Sequence, residues 1–478
     1  MPSTEIKNIC CIGAGYVGGP TMSVIADKCP HLHIHVVDID EQRIKAWNSK
    51  NLQDLPIYEP GLDEKIKKCR DINLYFSTEI EKNISNADMV FISVNTPTKT
   101  KGIGAGKASD LKWVEACARQ VSKYASGHTI VVEKSTLPVK TAEVIKIILE
   151  DAQLNSQNSK TTFDVLSNPE FLAEGSAIED LENPDRVLIG GENIEAINLL
   201  SEIYLNWVAK EKILHTNIWS SELAKLTSNA FLAQRISSIN SISAICEATG
   251  ADVREVSRAI GSDSRIGSKF LDSGPGFGGS CFKKDILNLV YLCEYFGLPE
   301  VAKFWEEVIE INKWHQHRIS KLIVKKLFGT VSGKKISILG FAFKANTNDT
   351  RESAAIVICK DLIEEGALLS IHDPKVDKYQ IEKDLGIKLN LNEESKSEDH
   401  SYKSKGGWTY APSIKKSLIG ADASIILTEW NEYGNIDWNM AKKIMRSPSW
   451  IFDARSILIP EKVKNAGLNL WRIGDGSN

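Results

Sequence analysis

The sequence predicts an α/β fold: two doubly wound lobes joined by a long central helix and a helical middle domain. Three observations predict it. Short apolar runs alternate with helical text over the first 191 residues, the alternation restarts at Lys334, and between them about 30 residues (219–250) run without Pro, and without Gly until Gly250. Strands alternating with helices build parallel sheets covered on both faces. The expected domains are 1–213, 214–328 and 329–478.

IKNICCIG (6–13) reads as a buried strand, the text from Gly13 to Cys29 as a turn entering a helix, and HIHVVDID (33–40) as a second strand. ADMVFISV, HTIVVEKS, FDVLSNPE and RVLIGG continue the strands, with helices over DLKWVEACARQVSKYA and KTAEVIKIILEDA. From 219 the text is one long helix, with Ser220 and Ser221 as the expected N-cap and Gly250 as its stop, and more helix follows to about 328. The second lobe opens with KKISILGFAF, a helix over 352–366 and ALLSIHDP, then ADASIILTEW and SWIFDAR as strands. The polar stretch 391–407 reads as a loop or insertion.

Composition excludes several classes. The 58 basic and 62 acidic residues leave a net charge of −4 and no concentrated basic stretch, so nucleic acid is not an expected partner. No apolar run reaches the length of a membrane span. The N-terminal text enters a strand pattern almost at once, leaving no room for a leader. The nine cysteines follow neither metal nor disulfide spacing, which points to free thiols and a cytoplasmic setting. His31, His33 and His35 alternate along one strand and read as strand-margin residues, so no metal is expected.

Gly13-Ala14-Gly15-Tyr16-Val17-Gly18 follows a strand and opens a helix, the context that makes GxGxxG a dinucleotide fingerprint and the lobe Rossmann-like. Gly13 permits the tight turn, Gly15 lets backbone approach a pyrophosphate, and Gly18 allows close helix–strand packing. Asp38, twenty residues after Gly18, ends the second strand. An acid there bonds the ribose 2′-hydroxyl and repels a 2′-phosphate, so NAD is the expected cofactor; Arg43 nearby softens that exclusion. Cys281 follows the glycines at 276, 278 and 279 and starts a helix, with Asp285 one turn on and lysines beside it. Helix dipole and lysines favour a thiolate, whereas a small core cysteine is the plain reading of the other eight. Lys225 and Asn229 share a face of the long helix, and Glu170 and Glu174 follow a strand end, where α/β sheets bind ligands.

An NAD oxidoreductase with a nucleophilic cysteine has a chemical logic. Removing hydride from an alcohol gives an aldehyde, a poor hydride donor. A thiolate converts it to a thiohemiacetal, which gives a second hydride and leaves a thioester for water to cleave.

Taken in order, GAGYVGGPT, VNTPT, EKST, NPEFLAEGSAI, ELAKL…NAFLAQRISSINSISAICEATGADV, GFGGSCFKKD, GFAFK…DTRES and FDAR resemble the UDP-glucose/GDP-mannose dehydrogenase family, closest to its animal-type UDP-glucose 6-dehydrogenases, from about residue 6 to 456. The resemblance implies oxidation of UDP-glucose to UDP-glucuronate with two NAD and no free aldehyde. It implies Cys281 as nucleophile, with Lys225 and Asp285 assisting proton removal through a water, Asn229 alongside, and Thr136 and Glu170 handling water and protons. For the cofactor it implies Tyr16, Val17, Val94, Asn95, Thr96, Pro97, Thr98, Ser135, Thr136, Glu174, Lys284 and Arg351, besides the fingerprint. For the UDP-sugar it implies Glu170, Phe171, Leu172, Lys225, Asn229, Arg265, Phe277, Gly278, Phe343, Lys344 and Arg455, with Arg265 reaching a neighbouring subunit. It implies a homo-oligomer, a dimer assembling to a hexamer. Lys283 departs from the family's usual Pro or Gln, and the chain stops without the long polar tail of vertebrate members. The competing readings are a sister enzyme acting on UDP-N-acetylhexosamine or GDP-mannose, and a catalytically silent sugar-nucleotide binder.

Overall fold

The computed structural model describes residues 5–136, 138–155, 161–389 and 406–477. Its first sheet holds β1 (Asn8–Ile12), β2 (His33–Val37), β3 (Leu74–Ser77), β4 (Met89–Ile92), β5 (His128–Glu133), β6 (Thr162–Ser167), β7 (Val187–Gly190) and β8 (Ile213–Thr216), in the order β3-β2-β1-β4-β5-β6-β7-β8. All neighbours run parallel except β6 and β7, which meet antiparallel at Ser167 and Gly190. The second sheet holds β9 (Lys335–Leu339), β10 (Leu368–His372), β11 (Gly407–Tyr410), β12 (Ala423–Ile426), β13 (Trp450–Asp453) and β14 (Asn469–Arg472), in the order β11-β10-β9-β12-β13-β14, all parallel. Six strands of each sheet thus follow the doubly wound dinucleotide-binding order, which reverses beside the first strand. The chain divides into two compact units, residues up to Ser228 with Leu287–Ala302, and Asn229–Ile286 with Lys303 onward.

Burial on both faces explains the unbroken apolar runs. In β1 the side chains alternate between two cores. Ile9 and Cys11 join Ile34, Val36, Phe91 and Val132 on one face, and Cys10 and Ile12 join Val90, Ile92 and Val131 on the other. The second sheet packs into one core around Ile336, Ile338, Phe341, Trp408 and Phe452.

The predicted strands form where expected, and four more appear. β3, β8, β11 and β14 are four residues each. The helices Lys112–Tyr124, Thr141–Asn155 and Ala354–Glu364 match their predicted text, and Val253–Gly261, Phe282–Tyr295 and Pro299–Lys326 fill the middle. The long helix is Ile218–Thr249, 32 residues. Its stop is as expected, Gly250 at φ +84 with its N–H on the Cys246 carbonyl at 3.0 Å. Its cap is not: the Asn217 amide oxygen accepts the Ser220 N–H at 2.8 Å, and Ser221 is buried against the Ser167 carbonyl. The serines lie one turn too deep because the apolar Ile218 and Trp219 are already helical. Of the stretch 391–407 read as a loop, 391–405 lies outside the described residues, and Gly407 already belongs to β11.

Phe452 is fully buried, stacked on Trp450 at 5.7 Å and tilted against Trp471 at 6.1 Å. Phe452→Ala should cost about 3–5 kcal/mol by emptying this volume, read as an earlier urea-unfolding transition followed by tryptophan fluorescence.

Candidate active site

The fingerprint turn takes the form its glycines require. Gly13 has φ +109 and donates its N–H to the Val37 carbonyl at 2.8 Å. A Cβ there would meet the Ser93 carbonyl at 2.5 Å, and one on Gly18 would meet the Gly13 carbonyl at 2.0 Å. A Cβ on Gly15 would meet no atom within 4 Å, so that side of the backbone before the helix Gly18–Lys28 stays open to a phosphate. Asp38 is buried. Its Oδ2 accepts the Ala14 N–H at 2.9 Å and the Arg43 guanidinium at 3.0 Å, and its Oδ1 accepts the Asp40 N–H at 3.0 Å. A carboxylate has about four acceptor positions, so one remains on Oδ1 for a ribose hydroxyl. Arg43 is held on the acids Asp38 and Asp40. These residues fit NAD.

Loops after β4 and β5 lie together beside this turn. Ser135 donates to the Val94 carbonyl at 2.7 Å, and Thr96 donates to the Thr136 carbonyl at 3.1 Å. Asn95 is exposed, and the Pro97 carbonyl takes the Asp110 N–H while Thr98 bridges to Ser109. The loop after β6 is anchored by buried Glu59, whose carboxylate takes the Gly175 N–H at 2.7 Å and the Ala177 N–H at 3.2 Å, next to Glu174. Phe171 lies under two cations: the Arg186 guanidinium 3.8 Å from its ring centroid and the Lys225 ammonium at 5.1 Å. Leu172 packs on the first core.

Glu170 pairs with a lysine that sequence reasoning passed over. Lys134, buried at the β5 exit, reaches its Oε2 at 2.7 Å. Burial alone would raise the Glu170 pKa, but the charge and hydrogen bond of Lys134, helped by the Phe171 N–H and by Lys225, hold it below the usual carboxylate value. Burial also works against Lys134, and Glu170 with Tyr204 outweighs it, pushing the ammonium up to about 12.

One residue earlier the logic is reversed. Glu133 is 1% exposed and neither of its oxygens has a hydrogen-bond partner of good geometry. Burial first, then the charge of Glu222, push its pKa well up. Glu222 accepts the Lys140 and Ala142 N–H groups at 2.7 and 2.8 Å, where the helix Thr141–Asn155 begins.

In the other unit Cys281 immediately precedes the helix Phe282–Tyr295 and is the one exposed cysteine of nine. Its carbonyl accepts the Asp285 N–H at 2.9 Å, and the Ser280 hydroxyl is 3.4 Å from its sulfur. Asp285, 1% exposed, is held by the Asn229 amide at 2.6 Å and the Lys284 ammonium at 2.9 Å. Burial opposes the Lys284 charge, and Asp285 followed by Cys281 overcome it, raising its pKa.

The glycine loop ahead of Cys281 is clamped by side chains that read in sequence as ordinary helix text. Asn312 grips Phe277 twice, its Oδ1 accepting the N–H at 2.9 Å and its Nδ2 donating to the carbonyl at 3.1 Å. Asn240 takes the Gly274 N–H and His315 meets the Gly274 carbonyl, each at 2.9 Å. A carbonyl only accepts, so His315 carries its proton on Nε2; burial, then Arg318, push its pKa down to about 3 and keep it neutral. A Cβ on Gly278 would meet the Glu352 carbonyl at 2.5 Å and Phe343 at 2.9 Å. Lys283, without a role in the sequence reading, pairs with Glu352 at 2.8 Å and so ties the helix start to the turn that Gly278 lies against.

The same unit gathers Phe343, Lys344, Arg351 and Arg455. Arg455 donates to the Phe343 carbonyl at 2.8 Å and pairs with Glu429 at 3.1 Å, Lys344 lies 5.7 Å from the Phe343 ring, and Arg351 chelates Asp349 while its carbonyl takes the Gly279 N–H. Phe277 is buried edge-on to Phe282. Arg265 stands apart: its side chain is 87% exposed and bound to Asp263, two residues away. Among the histidines, His35 stacks on Tyr75 at 4.9 Å.

Three models of the UDP-glucose/GDP-mannose dehydrogenase family match the chain in succession: the NAD binding domain over 7–208, the central domain over 219–314 and the UDP binding domain over 337–460. The chain belongs to the UDP-glucose/GDP-mannose dehydrogenase family. UDP-glucose 6-dehydrogenase of Gallus gallus is 56% identical, with 98% of this chain and 93% of the relative covered. The Drosophila melanogaster enzyme of the same name is 54% identical, with 98% and 96% covered. Among solved structures, a UDP-glucose dehydrogenase from Pyrobaculum islandicum superposes with a TM-score of 0.80 at 28% identity over 98% of each chain. A UDP-D-ManNAc dehydrogenase from Pyrococcus horikoshii does so at 0.78 and 25% identity, over 98% of this chain and 100% of its own. The dehydrogenase therefore takes NAD as its cofactor, and the geometry of its glycine turn and Asp38 fits that group.

Two predictions follow from this geometry. Asp38→Ser should raise the KM for NAD roughly 10- to 100-fold, the value of a charged hydrogen bond, and release Arg43 toward a 2′-phosphate, so that NADP gains as NAD loses in initial-rate assays. Glu133→Gln tests the proton on the buried acid. The unfolded chain ionises Glu133 near pH 4.3, while the folded chain holds the proton to higher pH. Wild-type stability should therefore fall from that pH up to the folded pKa. The glutamine variant lacks this loss, so its stability relative to wild type should be greater at pH 8 than at pH 5 in urea unfolding.

Proposed function

We propose that this dehydrogenase oxidises UDP-glucose to UDP-glucuronate through a thiohemiacetal and a thioester on Cys281. The balance is one UDP-glucose, two NAD⁺ and one water giving UDP-glucuronate, two NADH and three protons. The observation that carries the reading is the setting of Cys281: an exposed thiol on a clamped glycine loop, backed by Asp285 and Lys284, in a chain with an NAD-binding domain. Relatives at 54–56% identity that bear the name UDP-glucose 6-dehydrogenase support the substrate.

Gly13, Gly15, Gly18 and Asp38 would hold NAD, with the 94–98 and 135–136 loops, Glu174 and Arg351 in contact with it; bound there, it would supply the hydride acceptor for both oxidations. Lys225 and Asp285 draw the proton from the sugar hydroxyl through a water and steady the alkoxide, and the bond from Asn229 to Asp285 keeps that carboxylate oriented. Cys281 attacks the aldehyde carbon before it leaves the protein. After the second oxidation, Glu170 and Thr136 position the water that cleaves the thioester. Phe171, Leu172, Phe277, Gly278, Phe343, Lys344 and Arg455 hold the UDP-sugar. Lys284, taken as a further cofactor contact, pairs through its ammonium with Asp285.

The assembly we propose is a dimer formed through the long helix and built up into hexamers, with Arg265 serving a neighbouring subunit. Exposed Phe231 and Ile245 on that helix and the exposed Arg265 support it. The three segments 1–213, 214–328 and 329–478 are taken as cofactor, dimerisation and UDP-sugar domains. Nine free thiols fit a cytoplasmic setting, and among the described residues no helix is long and apolar enough to cross a membrane.

The test is stoichiometry. Two NADH should form per UDP-glucose consumed. One would make the chain an ordinary alcohol dehydrogenase, none would make it a binder, and faster turnover of UDP-N-acetylhexosamine or GDP-mannose would assign it to a sister activity. Cys281→Ser should pass the first oxidation and then stall, since an oxygen ester replaces the thioester and hydrolyses slowly. Unchanged steady turnover would remove Cys281 as the nucleophile.

A further inference from the structure

Glu170 has little freedom left. Its Oε1 accepts two backbone N–H groups, from Phe171 at 2.8 Å and Leu172 at 3.0 Å. Its Oε2 takes the Lys134 ammonium at 2.7 Å. Of about four acceptor positions on a carboxylate, the described residues fill three, and the fourth is on Oε2.

Lys134 is as tightly specified. Its three ammonium protons meet three acceptors: Glu170, the Asn168 amide oxygen at 3.1 Å and the Tyr204 hydroxyl at 3.2 Å. The Tyr204 hydroxyl passes its own proton to the same Asn168 oxygen at 2.6 Å, and the Asn168 amide donates to the Leu188 carbonyl at 2.8 Å. Lys134, Asn168 and Tyr204 are all buried. All three Lys134 protons have an acceptor, and pairing of this kind lets a buried charge fix a geometry instead of disturbing it. The cage stands on the sheet: Lys134 directly follows β5, Asn168 directly follows β6, and Leu188 is in β7.

We propose that Lys134 is a positioning residue that aims the one open lone pair of Glu170, on Oε2, at the water that cleaves the thioester. This rests on the functional reading above. In that step the water oxygen bonds to the acyl carbon, the carbon–sulfur bond breaks, and Cys281 leaves as thiolate. One water proton passes to Glu170 and on to solvent, and the other is lost as the product acid ionises. No electrons are exchanged with NAD. Lys134 weakens Glu170 as a base while fixing its direction, so the device favours orientation over basicity.

The experiment compares Lys134→Met, Lys134→Arg and Glu170→Gln by rapid mixing with UDP-glucose and NAD. For Lys134→Met we expect the first NADH to form at the wild-type rate and the hydrolysis phase to slow roughly 10- to 100-fold, the scale of a misaimed reactant. The acid limb of its pH profile should move to higher pH, because Glu170 stays buried without its counter-charge. Lys134→Arg keeps the charge and alters the aim, so hydrolysis should slow with the limb unmoved. If Lys134→Met does not fold, Lys134→Arg carries the test alone. Hydrolysis at wild-type rate in the folded variants, or equal slowing of both phases, overturns the proposal. The infrared carboxyl titration of Lys134→Met minus that of Lys134→Met/Glu170→Gln reads the Glu170 pKa without turnover. A Glu170 pKa shifted upward in a protein that makes no NADH would sink the functional reading and leave the pairing standing, whereas an unshifted one overturns the pairing itself.

Discussion

One carboxylate at the exit of the second strand holds the working edge of each sheet. Where a parallel strand ends, its backbone turns over the sheet edge with buried N–H groups that need acceptors. In the first sheet Asp38 supplies them, taking the N–H of Ala14 and of Asp40 while Gly13 bonds back to β2. In the second sheet Asp373 stands at the same place after β10, and Gly340 bonds back to the His372 carbonyl at 2.8 Å. Asp373 accepts from Phe341, Ala342, Lys375 and Val376 and from the Trp430 indole. Five donors exhaust it. The first acid keeps room for a ribose, and the second spends its capacity on fixing the loop that carries Phe343 and Lys344. One architectural device thus leaves an open acceptor in one lobe and a fully bonded loop in the other.

Buried ionisable groups in the first unit meet opposite surroundings at adjacent positions. Glu133 and Lys134 leave β5 together. Lys134 meets a carboxylate and holds the Glu170 pKa down, while Glu133 meets another carboxylate that, after burial, pushes its pKa well up. Alternation of side chains along a strand sends neighbours to opposite faces, so one strand end builds both environments. A raised Glu133 pKa favours the arrangement in which Glu222 stays bonded to the start of the helix Thr141–Asn155 without two like charges meeting.

Much of this was legible in the text, and the gaps have physical causes. Strands buried on both faces announce themselves as continuous apolar runs, which is why β1, β4, β5, β9 and β12 stood out. β3 and β11 lie at sheet edges, β8 is half-exposed, and β14 is a four-residue run ending in Arg472, so none has that contrast. The fingerprint glycines, Asp38, Cys281 and Asp285 stood out as candidates because their types and spacing form patterns close in sequence. Lys134 was not, because its partner Glu170 is 36 residues on and a lysine after a strand reads as a surface residue. Asn240, Asn312 and His315 were missed for a related reason: a lone polar residue in a helix gives no sign that it grips a distant backbone. The serine cap failed on a competition between neighbours, since Asn217 reaches the free N–H groups first.

The exposure of a single sulfur gives the chain one chemical address. Eight cysteines lie in apolar cores, and burial drives the thiols of Cys10, Cys11, Cys29, Cys117 and Cys359 far from ionisation. Thiolates, not thiols, react with electrophiles. A covalent inhibitor, a spin label or a passing peroxide therefore meets this protein at Cys281. The residue that makes the chain selectively labelled is also the one that exposes it to oxidative damage.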